Sequence, residues 1–126
     1  MAQVGYICIG ANDFDRATGF YDALLGEMGG KRLFPTPHGL LYRLGDGAMI
    51  MVTRPYNGEA ATPSNGGMIA IQVDSKEQVA AIHAKALALG GACEGKPGPR
   101  APFGEFAYFR DLDGNKLAVF HPAARG

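Results

Sequence analysis

The stretch VGYICIGANDFDRATGFYDALLG, Val4 to Gly26, decides the fold, because its plan returns once more as MIAIQVDSKEQVAAIHAKALALG, Met68 to Gly90. In the first copy Val4–Gly10 is short, β-branched and aromatic, which predicts a strand. Asn12 and Asp13 supply capping oxygens, and Phe14, Ala17, Tyr21, Leu24 and Leu25 come next at helical spacing until Gly26 or Gly29-Gly30 ends the run. In the second copy Met68–Val73 is the strand, and Ser75 to Gln78 has the S-x-x-Q capping-box form. The apolar stripe of the helix is then Val79, Ile82, Ala86 and Leu89, closed by Gly90-Gly91.

Beyond each helix the chain repeats a run of three strands. Lys31–Phe34, Gly39–Leu44 and Ala48–Thr53 predict the first run, with Gly45-Asp46-Gly47 turning its last two strands. Ala92–Glu94, Glu105–Arg110 and Lys116–Phe120 predict three shorter ones, turned by Asp113-Gly114. The chain therefore reads as one α+β domain over 1–126. Two βαβββ modules, about 4–54 and 68–122, flank a polar linker at 55–67. From strand start to helix cap the first copy is one residue longer, which predicts a bulge near Gly10-Ala11. The segment GKPGPRAPFGEF (Gly95–Phe106) is expected to be a flexible loop over the mouth of a site.

Composition excludes several functions. Twelve basic and twelve acidic side chains cancel, so no charge excess exists to hold a nucleic-acid backbone or an anionic membrane. Cys8 and Cys93 lie far apart in no CxxC or Cys/His spacing, and no leader or membrane-length apolar run is read, so a cytoplasmic protein is expected. A small neutral or amphipathic molecule is the expected partner.

Strand parity divides the side chains between two faces. Ile7, Ile9, Ile50, Val52, Ile69, Ile71, Val73, Leu117 and Val119 share one, expected to pack under the helices. The other carries Tyr6, Cys8, Gly10, Met49, Met51, Thr53, Met68, Ala70, Gln72, Ala118 and Phe120, a soft surface with no His, Asp or Glu. Tyr6 and Gln72 are read as hydrogen-bonding groups on its floor, or Tyr6 as a core tyrosine, and Cys8 as a small buried hydrophobe. Arg54, Tyr56 and Arg100 are the candidate handles for a carboxylate or phenolate. His38, His83 and His121 read as surface or structural histidines, and His121 by parity faces the helices.

The paired modules, with NDFDRATGFYDALLG after the first strand and RDLDGNKLAVF near the end, resemble the glyoxalase/bleomycin-resistance/extradiol-dioxygenase group, the vicinal oxygen chelate superfamily. The resemblance implies a cupped mixed sheet with helices on its convex face. In metal-using members His or Gln, Glu, His and Glu project from the first and fourth strands of the two modules. Alignment on the turns and caps places those four positions at Tyr6, Met51, Met68 and Ala118. A phenol, two thioethers and a methyl do not suit a metal that wants imidazole and carboxylate.

The expected function is thus metal-independent binding of a small molecule in an apolar cup, with no cofactor and no metal residues. The ligand pocket comprises Tyr6, Cys8, Met49, Met51, Arg54, Met68, Gln72, Arg100, Ala118 and Phe120. The alternative is a glyoxalase-like lyase or isomerase, for which Glu59 or Glu105 is the nearest loop carboxylate to serve as base. A dioxygenase is not expected. A homodimer is, since small modules leave sheet edges for a twofold partner to cover.

Overall fold

The computed structural model describes residues 1–124. It divides into two compact units, the first Met1–Thr62 and the second from Pro63 onward, so the division falls within the expected linker.

The first unit runs β1 (Tyr6–Gly10), α1 (Phe14–Gly26), β2 (Lys31–Pro35), β3 (Gly39–Arg43) and β4 (Met49–Thr53). The second runs β5 (Ile69–Gln72), α2 (Lys76–Ala88), β6 (Ala92–Arg100), β7 (Gly104–Arg110) and β8 (Lys116–Pro122). The strand orders β1-β4-β3-β2 and β5-β8-β7-β6 are the same plan executed twice. In each, the first strand pairs in parallel with the fourth, while the remaining pairs are antiparallel. The fold is α+β with two βαβββ modules, as the sequence predicts.

Both helix starts are capped by the expected residues. Asp13 accepts from the Arg16 amide at 3.0 Å, and Ser75 accepts from the Gln78 amide at 3.1 Å. Gln78 reaches back to the Asp74 amide rather than to that of Ser75, a variant of the capping box. The extra residue of the first copy makes no bulge. The β1–β4 register is continuous from Tyr6↔Met49 to Gly10↔Thr53, and β1 is simply one residue longer than β5, five against four. Register shifts occur instead at Arg32/Phe34 and along Cys93–Gly98, on edge strands.

Gly95–Arg100 is a correction to the expected loop: it belongs to β6 and pairs with β7. Only the turn at 101–103 remains outside the sheet. Gly104, at φ 136, starts the return strand in a conformation closed to other residues.

Parity decides the core. Ile9, Ile50, Val52, Ile71, Val73, Leu117 and Val119 are buried, joined by Leu24 and Leu25 of α1 and Val79, Ile82 and Ala86 of α2. Tyr42 is buried on the same side as Ile50 and gives its hydroxyl to Asp22 Oδ1 at 2.8 Å. Arg32 grips the same carboxylate at 2.8 and 2.6 Å. The guanidinium, and after it the Tyr42 hydroxyl, hold the Asp22 carboxyl below its ordinary value, while burial raises the Tyr42 phenol. Phe109 is fully buried beneath α2, so Phe109→Ala is expected to lower unfolding free energy by about 3–5 kcal/mol, measured by urea titration.

Candidate functional site

The strands present their other face away from the helices, and there the expected soft surface forms in each unit. In the first unit Tyr6, Cys8, Met49, Met51 and Thr53 share this face, since Tyr6 stands opposite Met49 and Cys8 opposite Met51. Leu41 pairs with Met51 and Phe34 with Leu41, which extends the face into β3 and β2. Thr36 gives its hydroxyl to Met51 Sδ at 3.7 Å. Tyr6 is 54% exposed, so it is no core tyrosine, and Cys8 is exposed rather than a buried hydrophobe. Both corrections have one cause: β1 is an edge strand, and along it only Ile9, on the opposite side, is buried.

Arg54 departs from the expected pocket. It is one residue past Thr53, so parity turns it to the helix side, where its guanidinium lies 4.5 Å from the centre of the Phe14 ring. There it borders a cleft of about 340 Å³ with Ala11, Asn12, His38, Tyr56 and Glu59. His38 packs edge-to-face on Tyr56 with centroids 5.6 Å apart.

In the second unit Ala70, Gln72, Ala118 and Phe120 occupy the face, with Ala70 opposite Ala118 and Gln72 opposite Phe120. The largest groups here, Phe106 and Tyr108 on β7, are absent from the pocket expected on sequence grounds. Phe106 pairs with Phe120 and Tyr108 with Ala118, so strand parity applied to Glu105–Arg110 was the available signal. The three rings form a stacked row, Tyr108 to Phe106 at 6.1 Å and Phe106 to Phe120 at 5.0 Å. Arg100 lies 5.7 Å and Lys116 5.2 Å from the centre of the Tyr108 ring. Ala118 is on this face yet fully buried among its neighbours.

Beside the row opens a cleft of about 810 Å³, lined by Met68, Glu94, Arg110, Lys116 and the segment 63–67. Arg110 binds Glu94 at 2.6 Å and the Gly114 carbonyl at 2.9 Å, and the guanidinium holds the Glu94 carboxyl below its ordinary value.

The acidic turn before β8 is tied together by its own aspartate. Asp111 is buried, and its Oδ1 accepts from the Asp113 and Asn115 amides at 2.9 Å each, while Oδ2 accepts from the Asn115 side chain at 3.0 Å. Gly114 takes φ 86. Among the described residues no group of three or more His, Cys, Asp or Glu side chains is placed to hold a metal.

The profile of the glyoxalase/bleomycin resistance protein/dioxygenase superfamily matches residues 3–119. The chain belongs to this superfamily. A glyoxalase/bleomycin resistance protein from Albidiferax ferrireducens T118 is 37% identical, with 93% of this chain and 96% of that one covered and a TM-score of 0.84. The hypothetical protein SA1046 from S. aureus is 23% identical over 96% and 94% of the two chains, TM-score 0.77. The fosfomycin resistance protein FosX from Listeria monocytogenes shares the fold at 18% identity, covering 98% and 95%, TM-score 0.76. No curated protein matches the chain. Against the superfamily's metal positions the donor set does not fit. Tyr6 is a phenol, Met51 and Met68 are thioethers, the former engaged by Thr36, and the buried Ala118 has no donor at all.

The remaining histidines are structural. His121 Nδ1 lies 3.1 Å from the Val73 carbonyl, on the helix side as parity predicts. His83 on α2 is buried, with Nε2 3.3 Å from Cys93 Sγ, and burial pushes its imidazole below the ordinary value. The unfolded chain therefore binds this proton more readily than the folded one, so stability is full above the unfolded value of 6.5 and falls as pH drops through the folded value. Urea titrations at about pH 7.5 and about pH 5 are expected to show a smaller loss for His83→Gln than for the natural chain.

Proposed function

We propose that the protein is a metal-independent small-molecule-binding member of its superfamily, its ligand held on the face opposite the helices and its chains paired as a cytoplasmic homodimer. The observation that carries this is the donor set. The four positions that supply imidazole and carboxylate in metal-using relatives hold Tyr6, Met51, Met68 and Ala118, while the surface around them keeps exposed aromatic and thioether groups. Tyr6 in the first unit and Met68 in the second are exposed by 54% and 46%, each an apolar group that a ligand or partner would cover favourably. The edge strands β1 and β2, and β5 and β6, leave main-chain groups to which a second chain could add. Among the described residues no helix is long and apolar enough to cross a membrane.

A lyase or isomerase is favoured by one observation, the presence of His38, Arg54, Tyr56 and Glu59 around a single cleft, which brings a base and a cation together. Turnover of a hemithioacetal, abolished in His38→Ala, would replace the binding reading with that one.

Metal analysis of protein purified without chelator is expected to find no stoichiometric Ni, Zn, Mn or Fe, and stoichiometric metal lost on Met51→Ala would overturn the proposal. In a thermal-shift panel of small aromatic acids, thiol conjugates and hydrophobic antibiotics, at least one compound at 100 times its Kd is expected to add about 2.7 kcal/mol. No shift with any of them would leave the face as a packing surface. Light scattering is expected to give twice the chain mass, and a monomer mass would end the dimer.

A further inference from the structure

The two cations beside Tyr108 are held differently from the other charged groups of the same face. Arg110 is neutralised by Glu94 at 2.6 Å. Arg100 gives its donors only to main-chain carbonyls, Lys96 at 3.0 Å and Pro99 at 3.3 Å, and Lys116 forms no ion pair among the described residues, although the Glu94 carboxylate already bound by Arg110 also feels its charge. Both sit within 6 Å of one aromatic ring, where each raises the potential felt by the other. Arg100, Arg110 and Lys116 against Glu94 leave this patch with a net charge of +2 on a chain whose total is +0.

The patch adjoins apolar surface of definite shape. The rings of Tyr108, Phe106 and Phe120 stand nearly parallel, at 20° and 12°, and form one aromatic patch beside the cations. Such rings take another π-system in an offset-stacked or an edge-to-face arrangement, a contact that a saturated ring cannot reproduce. Met68, 46% exposed, borders the adjoining cleft and supplies an adaptable thioether wall. Lys116 belongs to both places, since it touches the Tyr108 ring and lines the cleft of about 810 Å³.

We propose that the β7–β8 face is a subsite for a planar aromatic anion, with its ring system against the Phe106, Tyr108, Phe120 row and its carboxylate or phenolate oxygen met by Lys116, with Arg100 as the second cation. The proposal rests on the ligand-binding reading above and adds the chemical class. A saturated acid would lose the aromatic contact, a neutral aromatic would leave the +2 patch uncompensated, and a cation would be repelled.

Calorimetric titration with 1-naphthoate, 1-naphthamide and cyclohexanecarboxylate separates these terms. Naphthoate is expected to bind about tenfold more tightly than naphthamide, the worth of one charge-assisted hydrogen bond, and to weaken as salt is raised. Lys116→Gln is expected to abolish that advantage, and Arg100→Gln to reduce it. Equal affinity for acid and amide, or an advantage that survives both substitutions, overturns the aromatic-anion subsite while leaving a small-molecule site standing. Equal affinity for the saturated acid overturns the role of the ring row. No binding by any of the three, with a positive thermal shift from an uncharged compound in the wider panel, also overturns the subsite. No binding in either assay overturns the ligand-binding reading itself.

Discussion

Each half of the chain is governed by one parallel strand pair, β1 with β4 and β5 with β8. Parallel neighbours cannot be joined by a hairpin, so the chain must leave the sheet and come back, and a helix is the compact way to do so. That helix then covers one face only. Ile9 stands beside Val52, and Ile71 beside Val119, because those side chains must meet α1 and α2. The residues between them are thereby committed to the opposite face whatever their chemistry. The placement of Tyr6, Cys8, Met51, Ala70, Gln72, Ala118 and Phe120 is thus a consequence of how the core is closed.

On that committed face, replacement of a ligand-bearing side chain by a small one alters the neighbours as well as the donor count. Ala118 stands opposite Tyr108 on one side and Ala70 on the other, and it is fully buried. A carboxylate at 118 would enter a spot from which water is excluded and where the Tyr108 ring offers it no hydrogen-bonded cage, an unfavourable exchange without a metal to neutralise it. With a methyl there, the aromatic row Tyr108, Phe106, Phe120 lies over a continuous apolar floor. The same position that supplies a metal donor elsewhere in the superfamily here supplies room for rings.

Legibility in the sequence tracks the strength of the local signal. Helix caps at Asp13 and Ser75, the two-face alternation of β1, β4, β5 and β8, and the doubled order of elements are all readable, because each rests on a short-range rule with a period of 2 or a fixed cap position. Strand β6 is readable only at its start, Ala92–Glu94, since the rest of ACEGKPGPR alternates nothing and carries two prolines and two glycines. It forms because β7 offers a partner along its whole length, with shifts at Cys93/Gly95 and Gly95/Gly98 absorbing the mismatch. The hidden continuation of β6 makes Arg100 read as part of a flexible loop, whereas Phe106 and Tyr108 lie on a strand that is read and follow from its parity. Arg54 is misplaced for the opposite reason. As a handle just past the end of β4 it follows Thr53 by one residue, and a step of one residue at a strand end reverses the side.

The acidic stretch RDLDGNK shows how a motif that looks chemical does its work through geometry. Asp111 spends its carboxylate on three donors within the turn, two main-chain amides and the Asn115 side chain, and its own amide bonds the Asn115 carbonyl. A cation competing for those oxygens would have to release amides held in a tight turn, which costs more than drawing on exposed carboxylates would. What the turn secures is register: Arg110 opposite Lys116, Tyr108 opposite Ala118 and Phe106 opposite Phe120. A slip by one residue would send Leu117 and Val119 to the open face and Phe120 into the core. The buried aspartate thereby keeps two cations and three rings on one surface, and an acidic side chain is the reason that surface is basic and aromatic.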